Sequence, residues 1–241
     1  MKPSLFPIMI LISLVFSCQQ NRENEPVEAT NQKEMKNNNT ALSYLALGDS
    51  YTIGESVEEN ERWPVILAEA LKAKGFEMAS PKIIAKTGWT TDELQEAIAK
   101  ENLQETFNLV SLLIGVNNQY RGYKFAQYEK EFVELLEQAI AFAGNDSTKV
   151  FVVSIPDYGV TPFAAESDMA KIAEELDEYN AYAQSVCEKK NIPFFNITSI
   201  SKNAKDDLEL VASDNLHPSG KMYAQWVDLF ANEVENLFKE M

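Results

Sequence analysis

The chain carries one histidine, His217, so any chemistry that needs an imidazole base at neutral pH must use that residue. A serine hydroxyl is a poor nucleophile until a base takes its proton, and the base in turn needs an acid to hold its tautomer. Asp214 lies three residues ahead of His217, in Asp214-Asn215-Leu216-His217-Pro218, near enough in a tight loop to accept from the other ring nitrogen. Ser50, in Leu45-Ala46-Leu47-Gly48-Asp49-Ser50, is the candidate nucleophile. Attack on an acyl carbonyl also requires donors for the oxyanion, which a backbone amide at a strand-to-helix turn, a close-approach glycine and an Asn carboxamide can supply. Ser50, Gly88 and Asn117 offer these groups.

Taken singly, each piece has a plainer reading. Gly48-Asp49-Ser50 is an ordinary turn sequence, Gly88 a loop glycine, and Asn117-Asn118 a turn cap, because Asn bonds its own backbone readily. A lone histidine before a proline is most often a surface residue. What lifts the set above coincidence is its placement, which depends on the elements around it.

From Ala41 onward, apolar runs of strand length alternate with longer stretches of helical period, the pattern of an α/β fold with a parallel sheet. The strands are expected at Ser43 to Leu47, Lys82 to Ala85, Leu109 to Ile114, Val150 to Ser154 and Pro193 to Asn196. Helices are expected at Trp63 to Lys74, Thr91 to Lys100, Phe125 to Phe142, Ala170 to Lys190 and Gly220 to Lys239. Thr90 with Glu93 three residues later predicts a capping box, and Gly144 closes the third helix. In such a sheet, functional residues gather beyond the carboxyl ends of the strands. Gly48-Asp49-Ser50 follows the first strand, Thr87-Gly88-Trp89 the second and Gly115-Val116-Asn117-Asn118 the third, while His217 precedes the last helix.

The balance of 45% hydrophobic and 24% charged residues is that of a soluble globular domain. A net charge of −16 opposes binding to nucleic acid, which needs clustered Lys and Arg. The N-terminus, MKPSLFPIMILISLVFSCQQ, has an apolar run too short to span a bilayer comfortably and the layout of a signal peptide. Cys18 after Ser17 resembles the lipobox of bacterial lipoproteins. This predicts a signal peptide over residues 1–17, an acylated Cys18, and a lipid anchor in the cell envelope, with the outer membrane favoured because Gln19 rather than Asp follows. An ordinary cleaved signal with an incidental Cys18, or an uncleaved anchor, are the alternatives. Residues 18–40 are polar, rich in Asn, Glu and Gln, and read as a disordered tether. A coil of that length gives a stand-off of tens of ångströms, at roughly 5–6 Å times the square root of residue number. The domain then covers residues 41–241. Cys187, the other cysteine, sits in a helical pattern and is expected to pack. Two cysteines and one histidine leave no obvious ligand set for zinc or iron, so no metal is expected, and acyl transfer through a serine needs no cofactor.

These segments together resemble the signature blocks of the SGNH, or GDSL-type, hydrolase family, over roughly Ala41 to Met241. The first block is Gly48-Asp49-Ser50 with Gly54 following, the second supplies Gly88, the third Asn117, and the last Asp214 and His217. The resemblance implies a three-layer αβα sandwich on a five-stranded parallel sheet, flavodoxin-like in strand order. It further implies Ser50 as nucleophile, His217 as base, Asp214 as its orienting acid, and an oxyanion hole of the Ser50 amide, the Gly88 amide and the Asn117 side chain. One position departs: Asn118 stands where the family usually has Asp. Lysophospholipase-like and general esterase members look most similar around LALGDSYTIGE, so the expected substrates are acyl esters of lipids or short-chain esters. Alternatives are O-deacetylation of carbohydrate, with Trp89, Tyr120 and Tyr123 as candidate stacking residues, and a surface-binding lipoprotein without catalysis. The Ile155 to Pro162 segment is long enough to shape the pocket.

Overall fold

The computed structural model describes residues 41–239; the predicted signal peptide, Cys18 and the tether lie outside them. A parallel sheet of five strands has the order β2-β1-β3-β4-β5, with β1 at Tyr44–Gly48, β2 at Lys82–Ala85, β3 at Leu109–Leu113, β4 at Val150–Val153 and β5 at Phe194–Phe195. Every residue of β1, β3 and β4 is buried, as a parallel strand covered on both faces requires, and the edge strands β2 and β5 are partly open.

The helices in chain order are α1 (Ser50–Ile53), α2 (Trp63–Ala73), α3 (Thr91–Glu101), α4 (Val116–Tyr120), α5 (Phe125–Phe142), α6 (Met169–Lys190), α7 (Thr198–Lys202) and α8 (Gly220–Lys239). The chain moves outward from β1 to β2, then reverses past β1 to β3. Because parallel crossovers are right-handed, that reversal puts α2 on one face and α3, α5 and α6 on the other. The packing agrees: α2 lies against α8, and α5 against α3 and α6. The α2–α8 layer is tied to the sheet by an aromatic cluster in which Trp63, Phe151, Phe195 and Phe230 pack with ring centroids 5.1–6.2 Å apart. Fully burying each such side chain contributes roughly 1.5–3 kcal/mol.

The five long helices fall where the apolar period puts them, to within one or two residues at their ends. Thr90 and Glu93 form the predicted capping box on α3, and Gly144, at φ +71°, follows the end of α5. Cys187 is fully buried in α6, and burial pushes its thiol up to about 12. The one-turn helices α1, α4 and α7 are absent from the sequence expectation, because a single turn is too short to show a 3.6-residue period.

The reversal of strand order between β1 and β3 creates the crevice in which doubly wound sheets bind ligands. Register decides what reaches it. Gly48 pairs with Leu113 on one side and Ala85 on the other, so the chain segments carrying Ser50, Asn117 and Gly88 leave the sheet side by side.

Candidate active site

β1 turns sharply into α1 at Gly48-Asp49-Ser50. A side chain at Gly48 would overlap the Leu113 carbonyl oxygen and Thr52, so only glycine allows β1 and β3 to run this close beneath the turn. Asp49 caps α1, its Oδ1 accepting from the Tyr51 amide at 3.0 Å. Ser50 is thereby the first helical residue, where an amide has no intrahelical acceptor. Gly54, at φ +72°, ends the turn and donates to the Ser50 carbonyl at 3.1 Å. Ser50 is 4% exposed, and it lines a cavity.

His217 is carried by a loop that is closed on itself. The Ala212 amide donates to the His217 carbonyl at 2.7 Å, and Val211 bridges Pro218. Inside the loop, Asp214 Oδ1 accepts from the amides of Leu216 and His217, both at 3.0 Å. Its Oδ2 lies 2.6 Å from His217 Nδ1 and also accepts from Ser56 Oγ at 2.7 Å. Asn215 at φ +64° makes the tight return, a conformation Asn tolerates better than most residues. Burial alone would raise the Asp214 carboxyl, but the hydrogen bonds from the His217 ring, the two amides and Ser56 outweigh it and hold the group well below the usual carboxylate range. An ionised carboxylate can only accept, so Nδ1 carries the proton and Nε2 is left as the basic nitrogen.

Three side chains of the α4 segment grip the loop after β2. Asn117 Nδ2 donates to the Trp89 carbonyl at 3.0 Å, which leaves the second amide hydrogen for another acceptor. Arg121 Nη2 donates to the Gly88 carbonyl at 2.5 Å, and Nη1 lies 3.3 Å from Glu93. Gly88 itself sits at φ +88°, where a residue with a side chain would be strained. Asn118 is fully buried, and it accepts from the Thr91 amide at 3.0 Å and donates to Thr91 Oγ1 at 2.7 Å. The Thr91 hydroxyl donates in turn to Glu131 at 2.5 Å. An amide suits this position because the hydroxyl is already committed as a donor, so position 118 must supply a hydrogen.

Ser50, Gly88, Asn117 and His217 line one cavity of about 140 Å³, whose apolar side is formed by Val116, Tyr120, Tyr158, Phe163 and Leu216. Asp214 stands behind His217. Among the described residues, Ser50 Oγ makes no hydrogen bond to His217, although both face the cavity. Such bonds are often long until substrate is bound. Of the three aromatic residues singled out from sequence, only Tyr120 lines the cavity; Trp89 packs partly buried against the core, and Tyr123 does not reach it. Tyr158, from the Ile155 to Pro162 segment, does shape the pocket, and Phe163 follows it. Ser56, Arg121 and Phe163 escaped the sequence reading, since none belongs to a motif and no periodicity marks them. Among the described residues, no cluster of His, Cys, Asp or Glu is placed to hold a metal ion.

The fold is shared with solved structures at low sequence identity. TesA superposes with a TM-score of 0.63 at 15% identity, covering 81% of this chain and 99% of its own. The lipase/acylhydrolase from Enterococcus faecalis gives 0.61 at 23% identity, with coverage of 81% and 96%. A variant of Axe2, an acetyl xylan esterase from Geobacillus stearothermophilus, gives 0.60 at 18% identity, with coverage of 80% and 94%. No curated protein matches the sequence. Residues 46–225, which hold every residue of the site just described, match the model of the GDSL-like Lipase/Acylhydrolase family. The chain therefore belongs to the GDSL-like Lipase/Acylhydrolase family and is an ester-hydrolysing enzyme.

Proposed function

We propose that the chain is a serine esterase working through an acyl-Ser50 intermediate. His217 Nε2 takes the Ser50 proton as Oγ attacks the ester carbonyl, and the Ser50 amide, the Gly88 amide and the free Asn117 hydrogen stabilise the oxyanion. The imidazolium then protonates the departing alcohol. In the second half, His217 deprotonates water, which attacks the acyl-enzyme; the proton returns to Ser50 and the carboxylic acid leaves. Asp214 touches no substrate atom: it holds the Nδ1-protonated tautomer and stabilises the imidazolium. The observation that carries this reading is the Asp214 Oδ2 contact to His217 Nδ1 at 2.6 Å, in a loop that faces the same cavity as Ser50.

The test is hydrolysis of short-chain aryl esters by purified protein, with labelling by a fluorophosphonate probe. Turnover and labelling that both vanish in Ser50→Ala support the reading; turnover that survives the substitution refutes it.

Two substrate classes fit this chemistry. Acyl esters of lipids, lysophospholipids among them, are supported by the sequence order of residues 1–40, which would hold the enzyme at a membrane through acylated Cys18. Acetyl groups on carbohydrate are supported by the exposed ring of Tyr120 at the cavity. The anchor itself is tested by metabolic labelling with a fatty-acid analogue, with incorporation expected in the full chain and lost in Cys18→Ser.

A further inference from the structure

Charge and size at the cavity discriminate between those two classes. None of the residues that line it is Lys or Arg. The carboxylates lie close behind: Asp214 holds His217, Glu55 accepts from the Thr87 hydroxyl, and Thr87 lines the cavity. Gln119 connects a third one, since it accepts from Tyr158 OH at 3.0 Å and donates to Glu175 at 2.7 Å. The nearby guanidinium of Arg121 is committed to the Gly88 carbonyl and Glu93. Lys86, one residue before Thr87, is exposed and does not line the cavity. A phosphate brought here would exchange water for carboxylate neighbours without a paired cation, which is unfavourable.

Size points the same way. A volume of about 140 Å³ is close to that of a ~150 Å³ apolar void able to hold benzene, so the cavity has room for about six heavy atoms, the ester group among them. Its inner wall is Tyr51, Tyr158 and Leu216, and the void behind that wall is only about 10 Å³, too little for a methyl group to enter. The wall is braced. Tyr51 is buried, Tyr158 is held through its hydroxyl, and the Leu216 amide is bonded to Asp214.

At the open side of the cavity, Tyr120 is 59% exposed and Phe163 47%, with ring centroids 6.1 Å apart. Tyr120 is propped edge-on by Tyr158 at 6.1 Å, and the Phe163 amide donates to the Asn215 carbonyl at 3.0 Å, inside the His217 loop. Two exposed rings, inclined at 48° to each other on the cavity that holds Ser50, offer two apolar faces to the alcohol half of an ester. Flat apolar faces of this kind suit the C–H face of a sugar ring, which needs no counter-charge.

We infer that the site, acting as the serine esterase proposed above, cleaves short acyl esters, acetyl to about butyryl, of an uncharged sugar-like alcohol seated on Tyr120 and Phe163. The inner wall of Tyr51, Tyr158 and Leu216 sets the acyl length, and the lack of a lining cation turns phospholipids away.

The experiment uses the full chain and measures kcat/KM on acetyl, butyryl, octanoyl and dodecanoyl esters of glucose, on an acetylated xylo-oligosaccharide, and on lysophosphatidylglycerol. Acetyl and butyryl esters are expected to exceed octanoyl and longer ones, and the lysophospholipid, by at least about 100-fold. In Leu216→Ala the optimum shifts toward octanoyl. In Tyr120→Ala/Phe163→Ala, the acetylated oligosaccharide loses about 10-fold, mainly through KM; no loss, or a loss confined to kcat, overturns the seating of the sugar on these rings. Equal or faster cleavage of dodecanoyl esters or the lysophospholipid overturns the inference while leaving the esterase reading intact. A chain that cleaves none of these esters, and whose Ser50 fails to react with a fluorophosphonate, overturns both.

Discussion

Asp214 and Ser56 lie 158 residues apart in the chain, yet Ser56 Oγ donates to Asp214 Oδ2 at 2.7 Å, on the same oxygen that faces His217 Nδ1. The turn that follows the Ser50 helix therefore braces the acid that orients the histidine. Both halves of the site are linked through one carboxylate oxygen.

The first prediction concerns that carboxylate. Asp214→Asn keeps an oxygen for the two loop amides but removes the charge that fixes the Nδ1-protonated tautomer. kcat should fall by about 10³–10⁴-fold with KM little changed, on the scale seen when a triad acid is neutralised. Steady-state kinetics on a short-chain ester measure it, and an unaltered circular dichroism spectrum separates the effect from unfolding.

Removal of the Ser50 hydroxyl leaves the fold unchanged, since it holds no hydrogen bond to His217 among the described residues. Ser50→Ala should lower turnover by at least about 10⁴-fold at wild-type melting temperature.

At the oxyanion side, Asn117→Ala removes a donor and should cost about 10²–10³-fold in kcat. The lost bond to the Trp89 carbonyl should also loosen the loop after β2, which amide hydrogen exchange at Gly88 and Trp89 would register.

Asn118→Asp places a second acceptor beside a hydroxyl that has one proton, already given to Glu131. A loss of roughly 1–3 kcal/mol in denaturant unfolding is expected for the unmet buried group. Adding Glu131→Gln should restore most of it, because Gln can donate to Thr91 Oγ1 and free the Thr91 proton for the introduced carboxylate.

Asp49 predicts a pH dependence of stability. Burial, only partly offset by backbone hydrogen bonds that include the Tyr51 amide, pushes its carboxyl up to about 7. The unfolded chain releases this proton near pH 4 while the folded chain keeps it until about 7, so stability falls as pH rises through that window and is flat above it. Asp214 acts in the opposite sense and lower: its stabilisation is present above the ordinary carboxylate range and lost on acidification below it. Asp49→Asn, which can still accept from Tyr51, should flatten the decline between pH 4 and 7. Denaturation midpoints at pH 5 and 8, compared between the two proteins, measure the difference.

Local physics made a good part of this protein legible in one dimension. The strands and the five long helices followed from hydrophobic period, and the capping box on α3 from residue types three apart, because those interactions join neighbours in sequence. The Asp214–His217 pair was visible for the same reason, since both residues sit in one closed turn. Strand order was not local. It entered only as what the family resemblance implies, and it rests on the handedness of crossovers and on the register of Gly48 against Leu113 and Ala85.

The rest was decided in three dimensions. The apolar side of the cavity draws Val116 and Tyr120 from one segment, Tyr158 and Phe163 from another and Leu216 from a third, and no spacing in the chain relates them. Trp89 and Tyr123 were as plausible as Tyr120 by residue type; only packing placed Tyr120 alone of the three on the cavity. The sequence alone determined which groups could perform acyl transfer, because a single histidine leaves a single base. The shape of the cavity is set by loops that meet only after the sheet has formed, since the energy of their contacts depends on distances that the chain order does not contain.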